Sequence, residues 1–174
     1  INGGHLRITV TGETGEGDGI DSNGSIVISG GMVEVFACAS SADSGIDADL
    51  GIQINGGSVI ATGNMLDRID ENSQTHAVFT FAQPQNPGIY TLKNAAGEVI
   101  LAVSAENTFQ NLILSAPTLT EGTYTLWCGD TQFEGVTGGI GQGDRPQFPG
   151  RDDGRVEIPP QPTVPIVTHG DAPT

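Results

Sequence analysis

The chain has 174 residues, 26 of them Gly and 10 Pro, and sets 21 Asp and Glu against 6 Lys and Arg for a net charge of −15. A chain this acidic cannot line the basic groove that a phosphate backbone needs, which excludes nucleic acid and anionic membrane surfaces as partners and favours cations. Hydrophobic residues make up 36% but aromatics only 5%, so small β-branched side chains must fill the core, and no run approaches the roughly 18 apolar residues of a membrane span.

The first half repeats itself. Gly19-Ile20-Asp21-Ser22-Asn23 recurs as Gly45-Ile46-Asp47-Ala48-Asp49, and the same offset of 26 carries Ile26 to Ile52, Ile28 to Ile54, Gly30-Gly31 to Gly56-Gly57 and Val33 to Val59. Asn2-Gly3-Gly4, with Leu6 and Ile8, fits the same frame at an offset of 27. Apolar residues alternate within each unit, and a period of 2 predicts strands rather than helices. Short strands between Gly-rich corners, repeated every 26 residues, describe the coils of a parallel β-helix over residues 1–75. In such a stack each strand pairs with its counterpart about 4.8 Å away, and inward Ile and Val form one aliphatic ladder. The chain opens in mid-coil at Ile1, without Met, so any targeting segment and further coils are expected upstream. The alternative is that another chain pairs on that open edge.

From His76 the character changes to AVFTFAQ, IYTLK, EVILAV, NLILSAP and TYTLWC, with Asn94-Ala95-Ala96-Gly97 as a turn between the second and third. These are hairpin signals, and residues 76–134 are expected as an antiparallel β unit packed on the last coil, where it covers a sheet edge. Residues 135–174 hold seven of the ten prolines and three of the six basic residues, Arg145, Arg151 and Arg155. Their composition is that of an extended Gly/Pro-rich tail, with docking on the acidic coils and free solvation as its two readings. Cys38 and Cys128 have no zinc-ligand spacing; both end strand-like runs, which leaves a disulfide and a pair of buried thiols as alternatives.

The runs GDGIDSNGSIVISGGMVEV, GIDADLGIQINGGSVIATG and NTFQNLILSAPTLTEGTYTLWCG together resemble a family of extracellular bacterial carbohydrate-binding β-helix proteins. Relatives of that family include clostridial cellulose- and pectin-binding proteins. The resemblance covers roughly residues 1–130, including the Ser115-Ala116-Pro117-Thr118-Leu119 turn before the last strand. It implies a right-handed parallel β-helix of polysaccharide-lyase shape, calcium on the coils, and affinity for cellulose or acidic polysaccharide without cleavage. The closing strand departs from the family pattern at Cys128, and the tail has no counterpart in it.

Asp21 and Asn23, one coil below Asp47 and Asp49, form the sharpest constellation. Residues i and i+2 of an extended segment point the same way, and stacking sets Asp21 beside Asp47 and Asn23 beside Asp49. A hard cation with six to eight oxygen ligands turns that like-charge repulsion into ligation, and Ca2+ suits an all-oxygen set that Asp18 and Asp43 complete. The competing account is corner chemistry, in which these side chains accept backbone N–H bonds at tight turns. Asp67, Asp70 and Glu71 are expected as a solvated acidic corner or a second cation site, and His5, His76 and His169 match no ligand spacing.

A catalytic role is not expected. A lyase needs a basic residue beside calcium, and the coils hold only Arg7 and Arg68; an inverting glycosidase needs two carboxylates roughly 6.5–9.5 Å apart, and Asp21 with Asp47 or Asp49 meets that only by count. For sugar binding the usual device is an aromatic platform, and Trp127, Tyr124 and Tyr90 are the only Trp and Tyr residues. Tyr124 and Trp127 stand at odd separation, so at most one of them faces outward, and for each of the three a place in the core competes with the platform reading and is the favoured one. The expectation is a secreted or surface-attached polysaccharide-binding module with structural calcium. Its rival is a fibre subunit joined through the open edge near Ile1 and the tail.

Overall fold

The computed structural model describes residues 1–12, 16–133 and 138–141. In chain order its strands are β1 His5–Thr9, β2 Ile20–Ser22, β3 Ile26–Phe36, β4 Ile46–Ala48, β5 Ile52–Gly63, β6 His76–Gln85, β7 Gly88–Asn94, β8 Val99–Ala105, β9 Phe109–Ser115, β10 Tyr124–Cys128, β11 Thr131–Gln132 and β12 Gly138–Gly141. The fold is all-β, and among the described residues there is no helix.

The repeat period appears directly as strand register. β1 pairs in parallel with β3, Leu6 opposite Val33 and Ile8 opposite Val35. β3 pairs in parallel with β5, Ile26 opposite Ile52, Ile28 opposite Ile54 and Val33 opposite Val59. β2 and β4 form a separate two-stranded parallel sheet with Asp21 opposite Asp47. Equivalent residues of successive units therefore lie side by side, and their aliphatic side chains merge into one cluster: Ile26, Ile28, Val33, Val35, Ile46, Ile52, Ile54 and Val59, with no aromatic among its buried members. Full burial of an Ile such as Ile28 or Ile54 stabilises by about 1.5–3 kcal/mol, so the ladder supplies much of what holds this half together.

The Gly-Gly corners are what let the strands bend and still stack. Gly4, Gly31 and Gly57 have φ of 84°, 94° and 82°. A Cβ on Gly57 would stand 2.6 Å from the carbonyl oxygen of Gly31, and one on Gly31 would stand 2.6 Å from that of Gly4. Both the left-handed backbone and the closeness of the next unit exclude a side chain.

The second half continues the same sheet with the opposite polarity. β9 pairs antiparallel with β5, β6 with β9, and β12 with β6, giving the order β1-β3-β5-β9-β6-β12. The expected covering of the last unit's edge is thus made by hydrogen bonds from β9. β7 and β8 form the expected hairpin around Gly97, and β10 and β11 complete a four-stranded sheet, β11-β10-β7-β8. Between the two sheets lies a second core, rich in rings, built on Phe36, Phe79, Phe81, Tyr90, Phe109 and Tyr124. The outer face of β3 and β5 contributes Phe36 and Ile60 to it, so the ends of these strands are buried on both faces.

Polar links tie the halves together. Asn107 donates its amide to the carbonyls of Val10 (2.8 Å) and Ala37 (2.6 Å), at the ends of two stacked units. Arg7 bridges Glu34 (2.7 Å) and Glu106 (2.6 Å) and lies 4.8 Å from the Phe36 ring centroid, while His5 reaches Glu34 at 2.7 Å.

Cys38 and Cys128 are free thiols, so the disulfide alternative is not realised. Cys38 lies two residues beyond the end of β3 with its sulfur against the Gly12 carbonyl and the Ser40 hydroxyl, whereas Cys128 ends β10 in the other sheet, beside Gly88. Gly138–Gly141, inside the segment read as tail, is a strand on β6 rather than linker. The remainder of that segment, with Arg145, Arg151, Arg155 and His169, lies outside the described residues.

Candidate functional site

Asp21 and Asp47 meet because β2 and β4 stack in register, and Asp18 joins them from the segment leading into β2. One carboxylate oxygen from each of Asp18, Asp21 and Asp47 lies within 4.8 Å of the others. Asp18 is half-buried and Asp21 exposed. Burial pushes the Asp18 carboxyl up to about 6; the hydrogen bond from the Ser44 N–H opposes this, and the charges of Asp43, Asp47 and Asp21 reinforce it.

Asp18 and Asp43 also do the corner chemistry that was the competing account. Asp18 Oδ1 accepts from the Ser44 N–H at 2.7 Å, and Asp43 Oδ2 accepts from the Gly17 N–H at 2.7 Å. Each bond spans one repeat, since Gly17 is one period before Asp43 and Asp18 one period before Ser44. Asp43 is therefore a staple between units and is not among the converging carboxylates.

Asp49 is not among the converging carboxylates either, and Asn23 lies beyond the end of β2. The expectation that they share a direction with Asp21 and Asp47 assumed an extended segment, but β2 ends at Ser22 and β4 at Ala48. The chain turns at Asn23-Gly24, where the Gly24 N–H donates to Ser22 Oγ at 3.1 Å, and the i, i+2 rule lapses at the corner. In the acidic corner, Asp67 accepts from the Ala48 N–H (2.7 Å) and so ties the corner to the end of β4, while Asp70 accepts from the Asn72 N–H (2.8 Å) and closes a turn.

The aromatic set divides. Tyr90 and Tyr124 belong to the core, at 2% and 8% exposure, and donate their hydroxyls to the carbonyls of Asn86 and Thr120. Neither can stack on a sugar, so for both the core reading holds and the platform reading does not: alternation along β7 and β10 turns both inward. The same alternation turns Trp127 outward, as the odd separation from Tyr124 predicts. It stands on the outer face of the four-stranded sheet with Thr91 directly opposite on β7 and Gln132 opposite on β11. Its indole N–H donates to Thr125 Oγ1 at 2.9 Å, which fixes the ring along its own strand. Lys93, paired with Thr125, reaches diagonally so that Nζ lies 3.9 Å from the indole ring centroid. This contact was not foreseen, because it needs the β7–β10 register and joins residues 34 apart; the only hint is that each is the single residue of its type in the chain.

No family model, no curated protein and no solved structure matches this chain.

Proposed function

We propose that this chain is a non-catalytic polysaccharide-binding module of the cell exterior or bacterial surface, built on a right-handed parallel β-helix in residues 1–75 whose coils hold calcium. The observation that carries the binding reading is the outward face of the four-stranded sheet, where one partly exposed indole stands among Thr and Gln residues. Such a surface suits a pyranose ring, which stacks its C–H face on the indole and hydrogen-bonds its hydroxyls to the polar rim. Cellulose and acidic polysaccharides such as pectin are the ligand classes in view.

Calcium fits the donor set. An ion 2.3–2.6 Å from each oxygen tolerates oxygens up to roughly 5 Å apart, and the three Asp oxygens lie within 4.8 Å. In this reading Asp18, Asp21 and Asp47 hold the ion, with water and backbone oxygens completing its shell. Bound calcium would offset the repulsion between stacked carboxylates and give uronate groups a second point of attachment. The non-catalytic reading is supported by Arg7, whose guanidinium is engaged by Glu34 and Glu106 rather than left as a base.

The test is depletion of the protein from solution by insoluble pectin and by cellulose, in calcium and in EDTA, with Trp127→Ala in parallel. Retention on at least one polymer, weakened by Trp127→Ala, is expected; a protein that stays in solution with both polymers, calcium present, sinks the proposal. Melting temperatures in calcium and EDTA test the ion separately, and equal values would remove it.

A second reading, a subunit of an extracellular assembly, is favoured by β1, whose outer edge pairs with no other strand among the described residues. Light scattering separates the two: a mass that stays monomeric across a wide concentration range rejects assembly.

A further inference from the structure

The chain's single Lys and its single Trp sit on one another: Lys93 Nζ lies 3.9 Å from the centroid of the Trp127 ring. In a protein of net charge −15 this is an unusual use of the only Lys ammonium. Arg7 is engaged by Glu34 and Glu106, and Arg68 bonds the Leu50 carbonyl at 3.2 Å. Lys93, in contrast, is in no ion pair with a carboxylate among the described residues. Its partner is an aromatic face, and that is the face a sugar needs.

Resting on the polysaccharide-binding reading above, we propose that Lys93 is a specificity-determining residue that covers the indole in the free protein and makes the Trp127 platform prefer uronate-containing chains to neutral ones. The two classes of sugar meet the ammonium differently. A neutral pyranose that stacks on Trp127 must displace the cation from the ring and offers nothing in exchange, and so forfeits a cation–π contact. A uronate also displaces it, but its carboxylate receives the ammonium as an ion-pair partner, and the long flexible stem of Lys lets the head move from ring to carboxylate. The indole is meanwhile held by its bond to Thr125 and keeps its position while the cover moves. Elsewhere the protein's acidity repels polyanions, so this one cation decides whether an acidic chain can lie on the sheet.

Because the chain has one Trp, its emission reports this site alone. The experiment titrates the full chain with oligogalacturonate and with a cello-oligosaccharide of equal length, following Trp emission in EDTA so that calcium-bridged binding and gel formation are absent. Wild type, Lys93→Met and Lys93→Arg are compared, with melting temperatures as the control for folding. Wild type should bind oligogalacturonate more tightly, and added salt should shrink that preference. Lys93→Met should weaken the uronate by about three- to fivefold and strengthen the neutral sugar by about two- to fivefold, which moves the ratio of affinities by about tenfold. Lys93→Arg, which keeps a charge able to stack, should retain the preference.

Equal affinities for the two sugars in wild type, or a ratio unchanged by Lys93→Met, overturn the inference and leave the binding module intact. Emission that ignores both sugars while pectin still depletes the protein has the same meaning, since binding then lies elsewhere. No emission change and no depletion by either polymer overturn both readings together.

Discussion

Replacing Gly57 by Ala is the sharpest test of the stacked-corner arrangement, because two penalties coincide there and each can be measured alone nearby. The φ of 82° places a side chain in the left-handed region, at a cost of roughly 1–2 kcal/mol. The added Cβ would also stand 2.6 Å from the Gly31 carbonyl oxygen, 2.7 Å from the Gly30 carbonyl carbon and 2.9 Å from the Gly31 nitrogen. All three are backbone atoms of the adjacent unit, which cannot yield without disturbing the β3–β5 register, and overpacking of this kind adds about 1–3 kcal/mol. The expected loss is about 3 kcal/mol, or a melting temperature lower by roughly 6–12 °C for a chain of this size. Gly97 has the same φ of 82° with nothing within 4 Å of its Cβ position, so Gly97→Ala should lose only the backbone share. Gly56 has an ordinary φ but a Cβ position 2.7 Å from the Ser29 carbonyl oxygen, so Gly56→Ala should lose only the steric share. Urea unfolding of the three variants supplies the comparison. If Gly57→Ala costs no more than Gly97→Ala, the units are not packed against each other at that corner and the reasoning fails.

Four further outcomes are expected. In EDTA, wild-type stability relative to Asp18→Asn should fall as pH rises from about 4 to 7, because the folded Asp18 carboxyl keeps its proton up to about 6 while the unfolded one releases it near 3.9, so the folded state binds more protons over that window. Parallel pH profiles for the two proteins would refute this, and Asp18→Asn should also reduce any gain in melting temperature from calcium. Arg7→Ala leaves the buried Glu34 with His5 alone and should cost about 2–3 kcal/mol in urea unfolding, toward the low end for a broken ion pair because part of the network is exposed. Thr62 Oγ1 is buried without a hydrogen-bond partner among the described residues, so Thr62→Val should be neutral or stabilise by up to about 1 kcal/mol; a clear loss would mean the hydroxyl is satisfied. Both cysteines should react with a thiol reagent in denatured protein purified without reductant, and failure of both to react would restore the disulfide.

The half built by repetition was legible in the sequence because one number, the period, sets every cross-strand partner: the offset of 26 that aligns Ile28 with Ile54 is the hydrogen-bonded register itself. The second half was legible only locally. The β7–β8 hairpin announces itself through Asn94-Ala95-Ala96-Gly97, whose Asn94 side chain accepts from the Ala96 and Glu98 N–H groups. That β9 lies between β5 and β6 follows from non-local pairing, and its one trace in sequence is the continuous apolar run Leu112-Ile113-Leu114, buried on both faces. The site divides the same way. Asp21 beside Asp47 is a product of the period, whereas the absence of Asp49 from the converging carboxylates depends on where two strands stop. Alternation assigned Trp127 and Tyr124 to opposite faces, but the residue that lies on Trp127 comes from another strand.

β5 carries a parallel neighbour on one side and an antiparallel one on the other. A strand of that kind is a terminus for growth: the spacing of backbone groups that another repeat would need on its β9 side is already consumed by a partner of the opposite direction. Between β3 and β5 no such stop exists, because each of the backbone rows they turn toward one another matches that of any equivalent unit. Inserting one more copy of a 26-residue unit there would lengthen the molecule by a single strand spacing of about 4.8 Å, leave both the first strand and the closing sheet unchanged, and add another Asp to the acidic stack. The fold thus behaves as a ruler with a fixed end, in which length and the number of stacked acidic residues are set by counting repeats while the four-stranded sheet stays the same.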